Sequence, residues 1–423
     1  VRILVLNQYF HPDVSATSQL LTELCEDLAL HHDVYVVTGR PSYNPVERTK
    51  SRGLVSRELY GRVRVARVWS TSLNRSGMAG RLTNYGTYLV TSVAGAFSVS
   101  DPDVVVALTD PPPIGLIGGW TARLRRRPFV LVTKDIFPEV AVRLGKLTDP
   151  RLIAVLRRAA RSLFRRADVV VSIGRDMTER LVEARVPRTK IRLIRDWADG
   201  TLIRPLDGVS RLRQERGWEG RFVVMQSGNV GLSQSLDTLV EAADRLRVHP
   251  DIVFAIVGEG ASKADLRRRA TALRLENVEF LPYQPKASLA DSLGAADVHF
   301  VGLRRGLAGY IVPSKVYGIM AAGKPFIAAV DDGSEPALIA AEVGCGIRIE
   351  PDEPSQLAEA ILQLRAGKPE EMGLRGRAEF ERSHDRPLAT EEYRGLLEEV
   401  VAAGGADPTG SGTGGRLKAQ CGT

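Results

Sequence analysis

The chain has 423 residues and a mass of 46.1 kDa, with 44% hydrophobic and 26% charged residues. At roughly 150 residues per domain this length suggests two or three domains; the composition excludes a chain disordered throughout, a collagen-like repeat and a small disulfide scaffold. The net charge is +8 and its excess is concentrated: residues 120–200 hold 20 Lys/Arg against 9 Asp/Glu, while residues 201–423 hold 27 against 31.

From the N-terminus, a strand over 2–6 begins at once, without a signal-peptide pattern. Further strands are expected over 34–38, 64–68, 104–108, 129–132, 169–172 and 191–194, with helices over 16–30, 114–124, 151–166 and 175–184. An uncharged run over 82–100 is long enough to span a bilayer, but its many Thr, Ser, Gly and Asn residues predict a buried or interfacial helix. A second series has strands over 222–226, 252–257, 278–281, 298–301, 325–329 and 346–349. Its helices run over 235–247, 264–273, 288–294, 314–321, 354–364 and 370–381.

This alternation predicts α/β architecture with parallel sheets of right-handed βαβ units. The series restarts after Asp196-Trp197-Ala198-Asp199-Gly200. That places one doubly wound domain over 1–204 and another over 205–386, facing each other across a cleft at the carboxyl ends of their strands. A last helix over 387–402 is expected to pack back on the first domain, and the glycine-rich residues 403–423 to be disordered. The three cysteines, Cys25, Cys345 and Cys421, are far apart and odd in number, so a reducing compartment is expected. No His/Cys grouping has metal-ligand spacing.

Several strand-end segments carry polar chemistry. Asn7 to Ser18 follows the first strand and holds His11 and Asp13, with Ser15 placed to cap the next helix. Lys134-Asp135-Ile136-Phe137-Pro138-Glu139 follows the strand over 129–132. Its carboxylates could orient a hydroxyl or take a proton, or simply cap a turn. Ser227-Gly228-Asn229-Val230-Gly231 opens the second domain, and its glycines let backbone approach a ligand such as a diphosphate. It is neither a Walker loop nor Gly-x-Gly-x-x-Gly. Most informative is Arg304 to Pro325, where Pro313-Ser314-Lys315 opens a helix. A lysine in a first helical turn opposes the dipole unless an anion is near. Finally, the helix over 151–166 bears an apolar stripe and a basic stripe of Arg158, Arg161 and Arg165. It is either a membrane-surface helix or a solvated basic face.

Taken in order, these segments resemble the family 4 nucleotide-sugar glycosyltransferases of GT-B fold, and most closely their bacterial polysaccharide-assembly branch of fucosamine-transferase type. The resemblance runs from Tyr9-Phe10-His11-Pro12-Asp13 through Asp135–Glu139, Ile194–Asp199, Gly228–Gly231, Val257-Gly258-Glu259-Gly260 and Pro313–Lys315 to Met320–Pro325, nearly all of residues 1–395. It implies a metal-independent, cofactor-free transferase using a nucleoside diphosphate sugar, with retention by a front-face route. Donor contacts would come from Gly228, Asn229, Gly231, Glu259, Gly260, Arg304, Pro313, Ser314 and Lys315. His11, Asp13 and Asp135 would meet the acceptor, and Asp135, Glu139 and Lys315 would act in catalysis. The family often carries two glutamates eight positions apart; those positions are Tyr310 and Gly318 here. Its Arg/Lys pair in the first loop of the second domain is also missing, with Ser233 and Gln234 nearby instead.

The acceptor is expected to be lipid-linked or a small molecule. The basic block suggests a peripheral enzyme at the cytoplasmic face of an anionic membrane. A GT-B nucleotide-sugar epimerase and a non-catalytic sugar- or nucleic-acid-binding protein are the alternatives. Few of the six histidines fall in strand-end loops, which weighs against the first. The absence of interleaved aromatic and basic residues weighs against nucleic acid.

Overall fold

The computed structural model describes residues 1–41, 53–71 and 78–405. Its first domain runs β1 (Arg2–Leu6), α1 (Ala16–Leu28), β2 (Asp33–Gly39), β3 (Val55–Tyr60), β4 (Val63–Val68), α2 (Met78–Phe97) and β5 (Val104–Leu108). It continues with α3 (Ile114–Arg125), β6 (Phe129–Val132), α4 (Glu139–Arg143), α5 (Pro150–Arg166), β7 (Val169–Ser172), α6 (Arg175–Glu183) and β8 (Ile191–Leu193). The strands form one sheet in the order β3-β4-β2-β1-β5-β6-β7-β8, parallel except for β3 against β4. Central strands such as β5 (VVVAL) and β6 (FVLV) are buried at every position, as expected where helices cover both faces.

The second domain runs α7 (Arg211–Glu215), β9 (Phe222–Ser227), α8 (Asp237–Arg245), β10 (Ile252–Val257), α9 (Lys263–Ala272), β11 (Val278–Leu281) and α10 (Leu289–Gly294). Then follow β12 (Val298–Gly302), α11 (Lys315–Ala321), β13 (Phe326–Ala329), α12 (Glu335–Val343), β14 (Gly346–Ile349), α13 (Pro354–Ala366) and α14 (Pro369–Ser383). Its parallel sheet has the order β11-β10-β9-β12-β13-β14. In both sheets the order reverses beside the first strand, at β1/β5 and β9/β12, and the cleft opens above those points.

The last helix, α15 (Arg386–Gly405), returns to the first domain. Ala389, Tyr393, Leu396, Leu397 and Val400 complete the core under β1, β2 and α1. Residues 403–405 are therefore helical, not part of a tail; the tail from 406 lies outside the described residues, as does Cys421. Most of the uncharged run over 82–100 falls in α2, which ends at Phe97, and no described helix is long and apolar enough to cross a membrane.

Four elements escape the sequence pattern, two of them the short helices α4 and α7. Strand β3 (VSRELY) is an edge strand with no buried residue, so it lacks the apolar signal of its neighbours. Helix α12 (EPALIAAEV) is apolar along most of its length and shows no clear amphipathic period. Its start is nonetheless marked by Ser334 and by Pro336 in the first turn.

Candidate active site

A cleft of about 440 Å³ lies between the domains, lined from both sides. The first domain contributes the start of α1 (Ala16, Thr17, Leu20), Asp110 after β5, Lys134 and Asp135 after β6, and Ile173 and Asp196. The second contributes Gly228, Asn229, Ser233, Gln234, Gly302 and the run Ile311 to Lys315. Every contributor but α1 and the 311–315 run comes from within a few residues of a strand's carboxyl end. The parallel topology thus gathers residues remote in sequence.

On the first-domain side, the Asp135 carboxylate accepts a hydrogen bond from Thr109 Oγ1 at 3.0 Å. Burial pushes its pKa up to about 6, against the opposing effect of that hydrogen bond. Beside it, Lys134 Nζ donates to the buried Asp196 carboxylate and lies near the Trp197 ring. Ser15 caps α1 by accepting from Ser18 N–H, which turns that helix's first residues toward the cleft.

On the second-domain side, the Lys315 ammonium is buried and has no hydrogen-bond partner. Burial alone pushes its pKa down to about 8. Ser314 precedes α11, and its hydroxyl makes no cap bond to the helix. Gly228 has φ +114, and a Cβ there would meet open space; Gly258 packs on its carbonyl so closely that a Cβ would lie 1.8 Å away. Neighbouring N–H groups are spent locally: Gly228 on Val257 O, Val230 on Glu259 O, Gly231 on the Gln234 side chain. Helix α8 begins only at Asp237, so its N-terminus does not sit at the Gly228–Gly231 loop.

Not every expected residue reaches the cleft. Glu139 opens α4 but points to α5, where Arg157 holds both its oxygens at 2.7 and 2.9 Å. The His11 ring stacks on Tyr60 at 4.3 Å and its carbonyl accepts from Arg67; neither it nor the buried Asp13 lines the cleft. Arg304 is exposed outside the lining, tied by its N–H to Ser233 O. Glu259 pairs with Lys263, and Gly260 packs against Val230 O, so both shape the loop from behind. Among the described residues, no group of three or more His, Cys, Asp or Glu is placed to hold a metal ion.

Lys134, Asp110 and Asp196 line the cleft without having been singled out, although each adjoins a strand end where such residues are to be sought. A larger omission is the seam that joins the domains. Asp135 forms an isolated β-bridge with Ile311, and Ile136 N–H donates to Tyr310 O at 3.0 Å. The Tyr310 hydroxyl accepts from Arg143 at 3.0 Å, and the guanidiniums of Arg143 and Arg180 lie over its ring. One of the two positions where the family often carries a glutamate therefore holds an aromatic residue packed into the first domain's core. Glu335, fully buried at the start of α12, accepts from Arg175 N and Nε and from Arg195 Nε. Burial opposes its charge, but the two arginines outweigh it and hold its pKa below the usual range. On the other flank, Lys286 pairs with the buried Glu23, which also accepts from Trp197 Nε1.

Two family models divide the chain: a glycosyl transferase 4-like domain matches residues 16–197, and glycosyl transferases group 1 matches residues 209–379. The chain is 28% identical over 380 residues to the putative colanic acid biosynthesis glycosyl transferase WcaI of Escherichia coli K12, covering 86% of this chain and 92% of that protein. It is 29% identical over 283 residues to the probable glycosyltransferase WbjE of Pseudomonas aeruginosa, covering 65% and 69%. Among solved structures, it is similar to Anabaena HepE in complex with UDP and glucose, with TM-score 0.72, 18% identity and 94% and 99% of the two chains covered. A sucrose-phosphate synthase from Thermosynechococcus elongatus superposes with TM-score 0.74, 17% identity and 95% and 100% coverage.

Proposed function

The chain belongs to the GT-B glycosyltransferases of the family 4 type, and from that premise we propose that it moves a sugar from a nucleoside diphosphate sugar to an acceptor hydroxyl, with retention, in polysaccharide assembly. The observation that carries the donor half is Lys315. An ammonium that is buried, unpaired and lining a cleft stays charged only at a cost, and a diphosphate would remove that cost. Ser314, with an uncommitted hydroxyl, and the open side of Gly228 and Asn229 complete the seat. HepE, solved with UDP and glucose, supports the same donor class.

In the proposed step, the bond from the anomeric carbon to the diphosphate oxygen breaks as the acceptor oxygen bonds to that carbon on the same face. The hydroxyl proton passes to the departing diphosphate. Lys315 meets the charge that grows there, an interaction stronger in the transition state than in the ground state. Asp135, across the cleft, accepts a hydrogen bond from a neighbouring hydroxyl of the acceptor and so orients the attacking one, whose own proton goes to the diphosphate. Glu139 and His11 take no part in this step.

The acceptor is lipid-linked, and the enzyme sits peripherally on the inner face of an anionic membrane. The support is α5, which carries exposed Leu152 and Val155 among arginines in the most basic stretch of the chain.

A panel of nucleotide sugars and lipid-diphosphate acceptors tests the reading. Wild type is expected to consume one donor and give a product of unchanged anomeric configuration by NMR. Lys315→Ala is expected to lower kcat by about 10²–10³. Binding of a nucleotide sugar without transfer to any acceptor, or its epimerisation with no acceptor present, would sink the proposal. Unchanged turnover in the variant would remove Lys315 from the step.

A further inference from the structure

Outside the cleft, four arginines line one concavity whose lining holds no acidic residue. Arg158, Arg161 and Arg165 of α5 and Arg185 of the turn after α6 surround a concavity of about 320 Å³. The spacing i, i+3, i+7 puts the first three on one stripe of the helix. Arg185 is set opposite by a tight turn, with Arg185 N–H donating to Val182 O at 2.8 Å and Val186 N–H to Leu181 O at 3.0 Å. Buried Phe164 and Val186 form the apolar floor.

Arginines close by are engaged: Arg157 with Glu139, Arg180 with Glu183, Arg188 with Glu179 and Arg192 with Glu399. Among the described residues, no ion pair or side-chain hydrogen bond reaches the guanidinium of Arg158, Arg161, Arg165 or Arg185. Like charges gathered around one hollow repel unless an anion sits between them. Guanidinium forks match phosphate oxygens in pairs. Phe164 is buried, so no exposed ring lines the hollow to stack a base, which argues against a nucleic acid. Exposed Leu152 and Val155 on the same helix give the mixture of apolar and basic groups that suits a headgroup layer.

We propose that this concavity is a discrete phosphate site, separate from the donor seat, whose ligand is the phosphate of an anionic phospholipid headgroup or, from a soluble source, inorganic pyrophosphate. The lipid source rests on the membrane reading above; the phosphate chemistry does not.

Two double variants remove equal charge from α5 and its surroundings: R161A/R185A from the hollow, and R151A/R166A from outside it. In sedimentation with phosphatidylglycerol vesicles, R161A/R185A is expected to bind on the order of tenfold more weakly than R151A/R166A, the loss of charge-assisted contacts rather than of charge alone. In arginine Nε–H NMR, pyrophosphate is expected to shift wild-type signals saturably and those of R161A/R185A not at all. Equal losses for the two variants with no saturable shift would overturn the site in favour of diffuse charge. A saturable shift without vesicle binding keeps the site and overturns only its lipid source. Donor turnover on a soluble acceptor, expected unchanged in R161A/R185A, reads the transferase proposal separately and reports an intact fold.

Discussion

Burial moves the two ionisable groups facing each other across the cleft in opposite directions. Asp135 rises to about 6 and Lys315 falls to about 8, because each is less well solvated as an ion. The proposed step needs Asp135 ionised and Lys315 protonated. With kcat/KM, activity should therefore climb as pH passes 6, hold between, and decline above 8. Bound diphosphate favours the charged lysine, so the upper limb should lie at higher pH in kcat than in kcat/KM. Lys315→Arg should abolish that limb, since a guanidinium does not titrate there. A wild-type profile flat from pH 5 to 9 would exclude both roles. At this scale the sequence marked two residues that line the cleft, Asp135 because it follows a strand's end and Lys315 because it breaks a local rule. It was not readable for Glu139, four residues from Asp135, because whether a carboxylate faces a cleft or a neighbouring arginine depends on α5, which packs beside it from further along the chain.

Between elements, the seam of α12 and the 304–312 loop sets the geometry of the cleft. Glu335 has no exposed surface and is the shared acceptor for Arg175 and Arg195, both from the first domain. Glu335→Gln keeps the volume but leaves two arginines with an amide that cannot serve both as an anion. Their side chains are 32% and 31% exposed, so water compensates in part. The cost should be about 1–3 kcal/mol, below that of a fully buried pair. Thermal unfolding would register it as a lower Tm; an unchanged Tm would mean that the seam does not depend on this charge. The same seam bonds Tyr310 to Ile136, next to Asp135, and continues through Ile311 to Ser314 and Lys315. The two sides of the cleft are thereby tied through backbone. Strand β3 and helix α12 were the elements least visible in sequence, the first because an exposed edge needs no apolar residues, the second because a largely buried helix shows little contrast between faces.

Across the whole molecule, α15 returns to the first domain: it lies under β1 and α1, and Trp197 packs its ring against Tyr393 at 6.1 Å. The first domain's core is incomplete without the C-terminal helix. Leu397→Ala, at a position only 2% exposed, should cost about 2–5 kcal/mol in denaturant unfolding. A loss under 1 kcal/mol would show the helix to be an appendage. The uneven charge also acquires a position at this scale. The basic block of residues 120–200 lies wholly in the first domain, and part of it forms the hollow between α5 and the α6 turn. By itself the sequence determined two doubly wound domains, their order and the strand-end segments that carry polar groups. Those features follow from local periodicity and from short loops whose partners are near in the chain. Only the tertiary structure decided which segments face one another, that Tyr310 belongs to a seam, and that four arginines share one hollow. Arg175 and Glu335 are 160 residues apart, and no local pattern records a contact made across that distance.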